Sequence, residues 1–173
     1  MTDRTMSRMF TEGDESSELL ASWWEGLDQD RGERAALRRA GAPSEVAFGS
    51  SFHMLLGRLR GQGYSVGGDG TMALAAVAGL AAHVKSHIGG ASIAQQMATP
   101  KSPGAGARVS GLRFRRLLAV SDRDELYPLL LRVVRLLDGH VNLVSLANAA
   151  FWWNDRTKKN WAYDYYATAP LEL

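Results

Sequence analysis

The apolar residues between Ser110 and Ala167 recur at spacings of three and four. This is the period of an α-helix that buries one face, and the chain shows no alternation of apolar and polar residues typical of a half-buried strand. The pattern therefore predicts helices packed on a core. The positions that set the period are Phe114, Leu117, Leu118, Leu126, Leu129, Leu130, Val133, Val134, Leu136 and Leu137.

Helical spacing also runs through the first hundred residues, where polar caps mark the helix starts. No internal repeat is evident, so the fold class predicted for the whole chain is all-α. Phe48 is among the residues that the pattern predicts to be buried. The predicted caps are Ser16 or Ser17 for the first helix, Asp30 for the second, Asp69 or Thr71 for a long helix that ends near 87, and Asn142 for a helix that ends at Trp153. The other predicted elements are helices over 31–40, 44–60, 92–98, 112–120 and 155–167, with a capped turn from Ser121 and a helix restarted at Pro128.

Residues 99–111 are the one stretch whose composition is typical of a linker, because it is rich in proline and glycine. It divides the predicted helices into two small helical bundles joined by this Gly/Pro-rich linker, an N-terminal bundle over 16–98 and a C-terminal bundle over 112–173. Residues 1–15 are polar, and we expect a disordered N-terminus there. A chain of 173 residues with 46% hydrophobic content can bury a substantial core.

The formal net charge of +2 hides an uneven distribution. Residues 1–30 hold two basic and eight acidic residues, whereas 31–60 hold six basic and two acidic, and 101–173 hold eleven basic and seven acidic. An acidic start therefore masks a basic body. Most of the positive charge is arginine, whose fork of donors suits bidentate contacts to phosphate, although a GC-rich genome would favour the same bias.

Several classes of function lack support in the sequence. The chain has no cysteine, which excludes disulfides, thiolate nucleophiles and Cys-based zinc sites. No apolar run is long enough to cross a membrane and the start is polar, so we expect a cytoplasmic protein. His83 and His87 have the i, i+4 spacing of a metal edge, but no third ligand and no catalytic motif accompany them. We expect no metal, no cofactor and no enzymatic activity.

The second predicted helix carries four arginines on one face. They fall within roughly 140° of one another on a helical wheel, opposite Leu37. A solvated face is the alternative explanation, but only Glu33 lies nearby in sequence to neutralise them. The pattern predicts a face that contacts phosphate groups while the other face packs. Its residues are Arg31, Arg34, Arg38 and Arg39.

A second basic patch begins in the predicted linker. Lys101 and Arg108 lie there, and the following helix places Arg113 and Arg116 on the face opposite Phe114. These side chains can contact phosphates while the helix stays docked. Salt bridges are the alternative for the last two arginines, and their possible partners are Asp122 and Asp124.

Two further helices, the one restarted at Pro128 and the last one over 155–167, add basic candidates. Arg132 and Arg135 lie three residues apart on a helix that is otherwise aliphatic, although Asp138 is close enough in sequence to pair with Arg135. Arg156 and Lys158 begin the last helix, where a solvated surface is the alternative. All these residues are predicted to bind nucleic acid.

Aromatic residues are concentrated near the end of the chain, and such rings stack on bases in proteins that bind single strands. Trp161 and Tyr165 are four residues apart on an amphipathic helix, which favours a place in the core. We therefore do not predict the group as a site. Its members are Trp152, Trp153, Trp161, Tyr163, Tyr165 and Tyr166.

Three blocks of sequence carry a resemblance to a known family. They are RGERAALRR at 31–39, FRRLL at 114–118 and WWNDRTKKNWAYDYY at 152–166. With the regions around them, 17–60 and 108–168, they resemble the CasB family, the small subunit of the type I-E CRISPR surveillance complex Cascade. The blocks contain no catalytic signature.

The resemblance implies an all-helical, non-catalytic protein that binds nucleic acid without reading its sequence. The implied partners are CRISPR guide RNA, target and displaced DNA strands, other Cascade subunits of the CasA, CasC, CasD and CasE type, and a second copy of the chain. Such a subunit would stabilise the R-loop in antiviral defence. The alternative is an all-helical scaffold that binds only proteins and uses its arginines in salt bridges.

Overall fold

The computed structural model describes residues 9–171 and consists of helices with one very small sheet. The predicted all-α fold class is confirmed, since both strands have only two residues. The elements are α1 (Glu15–Gly26), a 3-10 turn (Leu27–Gln29), α2 (Arg31–Arg39), α3 (Pro43–Val46), α4 (Ser50–Gly61), α5 (Asp69–Ala81), β1 (Ser86–His87), α6 (Ile93–Ala98), α7 (Gly111–Ala119), α8 (Arg123–Leu136), β2 (His140–Val141), α9 (Leu143–Phe151) and α10 (Asp155–Thr168).

The helix α5 lies at the centre of the core. It is apolar almost throughout and contacts α3, α8 and α9, while α6 contacts α10. Buried residues from both sides of the Gly/Pro-rich segment belong to one hydrophobic cluster. The division into two bundles stays a prediction. None of the helices over 9–171 combines the length and hydrophobicity needed to span a bilayer.

The start of the described chain is packed onto this core. Met9 and Phe10, which fall in the segment expected to be disordered, are fully buried, and the Phe10 ring meets Phe151 edge-on with centroids 5.6 Å apart. Residues 1–8 of that prediction lie outside the described residues. The cap of α1 is Asp14, which accepts from the Ser16 backbone N–H at 3.1 Å, and not Ser16 or Ser17.

The predicted helix that ends near 87 is too long, and its predicted cap is wrong, because Asp69 is already helical and Gly68 occupies the cap position. It ends at Ala81, and Ser86 and His87 instead pair in parallel with His140 and Val141. The backbone N–H groups of residues 85 and 86 both donate to the Gly139 carbonyl, at 2.8 and 3.2 Å. A partner 54 residues away in sequence, from Ser86 to His140, therefore replaces the helical hydrogen bonds. Local periodicity carries no signal of such a partner.

The predicted helix over 44–60 is interrupted. Gly49 takes an extended conformation, with φ −82° and ψ 144°, and caps the start of α4 without continuing α3. Phe48 lies at the break and is 90% exposed, so its predicted burial is wrong. Phe48 and Phe52 are four residues apart and would share a face of one continuous helix, but the break at Gly49 places them on different elements.

The predicted restart at Pro128 is also wrong, because α8 continues through it. The helix begins after Asp122, whose carboxylate accepts from the Asp124 backbone N–H at 2.7 Å. Proline removes one backbone donor from a helix interior. The burial of Leu126, Tyr127 and Leu130 on the same helix offsets that loss.

A bare glycine sets the spacing between α5 and α8. A Cβ on Gly79 would overlap the hydroxyl oxygen of Tyr127 and would lie 3.0 Å from a methyl carbon of Val46. Burial, and then the charge of Glu45, raise the pKa of Tyr127 to about 12. The close packing of α8 on α5 fixes where the arginines of α8 emerge.

Candidate nucleic-acid interface

The arginines of α2 divide into two pairs. Arg34 has a side chain only 16% exposed and forms an ion pair with Asp28, and the Arg38 Nε donates to the Ala82 carbonyl at 2.7 Å. Arg38 therefore satisfies a carbonyl at the C-terminal end of α5. Arg31 and Arg39 are exposed and have no ion pair among the described residues. The predicted cationic face is thus partly used inside the protein.

Three predicted arginines meet at a shallow cleft between α7 and α8. Ser110 caps α7, its Oγ accepting from the Arg113 backbone N–H at 3.3 Å, and this fixes the phase of the helix. The buried residues Phe114 and Leu117 face the core, so the arginines around them face outward. The α7–α8 cleft is lined by Val109, Arg113, Arg116, Leu117, Leu129, Arg132, Val133 and Leu136.

The arginines of the α7–α8 cleft remain available for a ligand. Arg113, Arg116 and Arg132 are exposed and form no ion pair within residues 9–171. Asp122, the predicted alternative partner, instead caps α8. Three unneutralised guanidinium groups around one cleft form a site suited to a polyanion.

The imidazole of His83 is influenced by arginines of both α2 and α8. Burial lowers the pKa of His83, and the positive charges of Arg135 and Arg38 lower it further. Its Nε2 atom is buried and has no hydrogen-bond partner among the described residues. Both helices therefore contribute positive charge in the neighbourhood of His83.

The lowered pKa of His83 predicts a loss of stability in acid. The unfolded chain takes up a proton near pH 6.5 and the folded chain only at lower pH, so the free energy of unfolding falls as the pH drops through this window. We expect His83→Gln to remove part of this dependence. Urea unfolding of both proteins between pH 7.5 and 5 measures it, and parallel pH profiles would contradict the assignment.

The cations of the Gly/Pro-rich segment surround one carboxylate. The Lys101 Nζ lies 3.6 Å and an Arg108 nitrogen 3.9 Å from the same Asp138 oxygen. Asp138 therefore pairs with these two residues and not with Arg135, the partner suggested by the sequence. Lys101 and Arg108 lie near the end of α8, close to the helix that carries the cleft.

Lys85 is a basic residue that sequence reasoning missed. It is exposed, and its side-chain stem packs over Gly139, where a Cβ would lie only 2.7 Å from the Lys85 Cγ. Gly139 also has φ +78°, a conformation that favours glycine. Both the backbone conformation and the contact with Lys85 therefore require glycine at this turn. Lys85 is isolated among uncharged residues in the sequence, and only the pairing of β1 with β2 places it against Gly139, the residue after Asp138.

The basic residues of α10 form a separate patch. The Lys158 Nζ lies 3.3 Å from the Ser121 Oγ and 5.7 Å from the centre of the Trp153 ring, and Arg156 is exposed nearby. Ser121 precedes α8, whereas Arg132 lies nine residues into that helix, about 14 Å along its axis. The structure does not bring Arg156 and Lys158 to the α7–α8 cleft.

The aromatic residues are mostly structural. Trp161 and Tyr165 are buried, the Tyr165 hydroxyl donates to the Val109 carbonyl at 2.6 Å, and the Trp153 indole donates to the Val120 carbonyl at 2.7 Å. Tyr163 and Tyr166 are exposed, at 73% and 54%. The positions of Trp161 and Tyr165 agree with the preference for a core role.

A larger cleft, of about 520 Å³, lies between the start of the described chain, the loop before α6, and α9. Its lining contains Glu12, His87 and neutral or small residues, without lysine or arginine. It is therefore poorly suited to phosphate. His87 belongs to β1 and its Nδ1 accepts from the Leu143 backbone N–H at 3.0 Å, so it does not share a helix face with His83. The described residues contain no cluster of three metal-ligating side chains.

Comparison with known proteins agrees with this architecture. The family model of CRISPR-associated protein Cse2 matches residues 33–166. A chain in the crystal structure of E. coli Cascade bound to a PAM-containing dsDNA target shares the fold, with a TM-score of 0.67 and 19% identity over 88% of this chain and 94% of the other. No curated protein sequence matches significantly. The family match spans well over half of the residues and confirms the resemblance inferred from the arginine blocks, and the chain therefore belongs to the family of CRISPR-associated protein Cse2.

Proposed function

We propose that the chain is a non-catalytic subunit of a type I-E CRISPR Cascade complex that binds nucleic-acid backbones without reading their sequence. The observation that carries the proposal is the α7–α8 cleft, where Arg113, Arg116 and Arg132 are exposed and unpaired within the described residues. Family membership and the fold shared with a Cascade chain support the same conclusion.

The shape and charge of the surface favour phosphate contacts over base contacts. The lining of the cleft combines the three arginines with aliphatic residues and contains no asparagine, glutamine or carboxylate that could pair with a base edge. Arg135 of α8 and Arg38 of α2 add further positive charge, and both lower the pKa of His83. A strand held through phosphate contacts would bind whatever its sequence.

The mechanism is stabilisation of an almost balanced strand exchange. The guide RNA–DNA heteroduplex is about as stable as the DNA duplex that it replaces. Modest contacts to the backbones can therefore decide whether the R-loop stays open. In this proposal the chain holds the guide RNA, the target strand and the displaced strand, and sequence specificity comes from base pairing. The partners would include subunits of the CasA, CasC, CasD and CasE type and a second copy of this chain.

Arg39 offers a sharp test because its side chain is exposed and has no ion pair among the described residues. We expect Arg39→Ala to lower the slope of log K against log salt by about 0.7 and the affinity for a single strand by roughly fivefold at 0.1 M salt, through the loss of one phosphate contact. Stability should change by less than about 0.5 kcal/mol. Fluorescence anisotropy with labelled oligonucleotides of different sequence, between 50 and 200 mM salt, measures the affinity and its salt slope.

Arg38→Ala is the matched comparison on the neighbouring residue. It removes the hydrogen bond to the Ala82 carbonyl as well as a charge, so it should also destabilise the fold, by about 1 kcal/mol. Binding by the unmodified chain that does not vary with salt, or that depends on sequence, would contradict the proposed function. No binding to any strand would favour the protein-only scaffold.

A further inference from the structure

Asp138 lies between two basic residues, Lys101 and Arg108. Its carboxylate lies 3.6 Å from the Lys101 Nζ and 3.9 Å from Arg108, and the backbone of Lys85 is hydrogen-bonded to the adjacent Gly139. Lys101 and Arg108 are both predicted to bind phosphate. One carboxylate therefore faces two candidate ligands of the nucleic-acid backbone.

The carboxylate is not needed to form the turn in which it lies. Asp138 has φ +57°, and the turn is closed by backbone hydrogen bonds from the Asp138 N–H to the Arg135 carbonyl at 3.0 Å and from the Gly139 N–H to the Val134 carbonyl at 2.9 Å. Asparagine adopts this left-handed conformation as readily as aspartate does. The charge can thus be removed while the backbone is retained.

The two ion pairs are also weak. Both distances lie near the upper limit of an ion pair. The side chains of Lys101 and Asp138 are 74% and 55% exposed, whereas Arg108 is 28% exposed. The exposed Lys101–Asp138 pair contributes little to stability and is screened by salt, and the long Arg108–Asp138 distance weakens the second pair. An incoming backbone phosphate can displace the carboxylate, because it offers both cations the same single negative charge, shared by two oxygens that accept charge-assisted hydrogen bonds.

We propose that Asp138 sets the affinity of this surface: its carboxylate occupies the place of a backbone phosphate between Lys101 and Arg108 and competes with nucleic acid for them. This inference rests on the proposed function. A strand that binds here first has to separate Asp138 from the two cations, and it then lies close to a negative charge. Asp138 thereby lowers the affinity of Lys101 and Arg108 for nucleic acid.

Asp138→Asn is the decisive variant, and Asp69→Asn is its charge-matched control. Asp69 is exposed and is the first residue of α5. It lies about 18 Å along that helix from Ala81, which is the end that leads to β1. The control therefore makes the same change in net charge at a point far from Asp138. One unit charge about 6 Å from a bound phosphate changes affinity by roughly threefold in water, and more at a lower dielectric constant. We expect Asp138→Asn to bind a labelled single strand about three- to tenfold more tightly at 50 mM salt, and Asp69→Asn to bind like the unmodified chain.

The gain in affinity of Asp138→Asn should shrink as salt is added. It should vanish when Lys101 and Arg108 are also replaced by alanine. Thermal unfolding at an unchanged Tm verifies that each variant is folded. Equal affinity of the two asparagine variants would overturn the proposal, and weaker binding by Asp138→Asn would show that the carboxylate positions the cations and does not compete. Failure of the proposed function is distinguishable, because it appears in the unmodified chain as an absence of salt-dependent binding.

Discussion

Replacing Arg113, Arg116 and Arg132 together by alanine is expected to reduce the affinity for single-stranded nucleic acid by roughly 100-fold at 0.1 M salt. Each phosphate contact to a single strand contributes about 0.7 to the slope of log K against log salt, which corresponds to about fivefold in affinity at 0.1 M. Three contacts multiply to about two orders of magnitude. The slope itself should fall by about two.

The structure explains why this variant should remain folded. All three side chains are exposed, and none forms an ion pair within the described residues. Arg58→Ala is the control, since Arg58 is an exposed arginine of α4 that was not predicted to bind. Anisotropy titrations at several salt concentrations measure the loss. If the triple variant loses no more affinity for each arginine removed than Arg58→Ala does, the α7–α8 cleft does not hold the strand.

The largest loss of stability is expected for Phe114→Ala, at about 3–5 kcal/mol. Phe114 is fully buried, and its ring stacks on Tyr165 with centroids 3.9 Å apart and planes within 6° of parallel. It also meets Tyr166 edge-on at 5.7 Å. Alanine would leave a cavity between α7 and α10 that these two helices cannot fill without moving.

Urea unfolding of Phe114→Ala and of its neighbour Arg115→Ala provides the measurement. Arg115 is exposed, so its replacement should change the free energy of unfolding by less than about 0.5 kcal/mol. Comparable effects of the two substitutions would mean that α7 does not pack through Phe114. In that case the outward direction of Arg113 and Arg116 would also be in doubt.

Much of the helical framework could be predicted because its signals are local. Asp30 accepts from the Glu33 backbone N–H at 3.1 Å and Asn142 from the Ser145 N–H at 3.0 Å, as their positions before helical patterns suggested. The spacing of Phe114 and Leu117 predicted which side of α7 is buried, and therefore that Arg113 and Arg116 face outward. Caps and helical phase involve residues within one or two turns, so the sequence contains all the information they need.

Charge patterns were less informative, because the partner of an arginine is chosen in three dimensions. On the helical wheel Arg38 and Arg39 looked equivalent, yet Arg38 reaches the Ala82 carbonyl, 44 residues away, and Arg39 stays exposed. Asp138 was expected near Arg135 and instead faces Lys101 and Arg108. Many carboxylates and carbonyls lie within reach of a long side chain, and only packing decides which one it meets.

The sequence by itself determined the all-α class, most helix starts, the outward face of α7 and the family to which the chain belongs, because these depend on residue types at short spacing. The tertiary structure alone decided the pairing of Ser86–His87 with His140–Val141, the exposure of Phe48, the capping of α5 by Arg38, and the meeting of Arg113, Arg116 and Arg132 at one cleft. These features depend on contacts between distant residues, which form only when the helices dock. The free energy of that docking comes from the shared core around α5, and no local pattern specifies it.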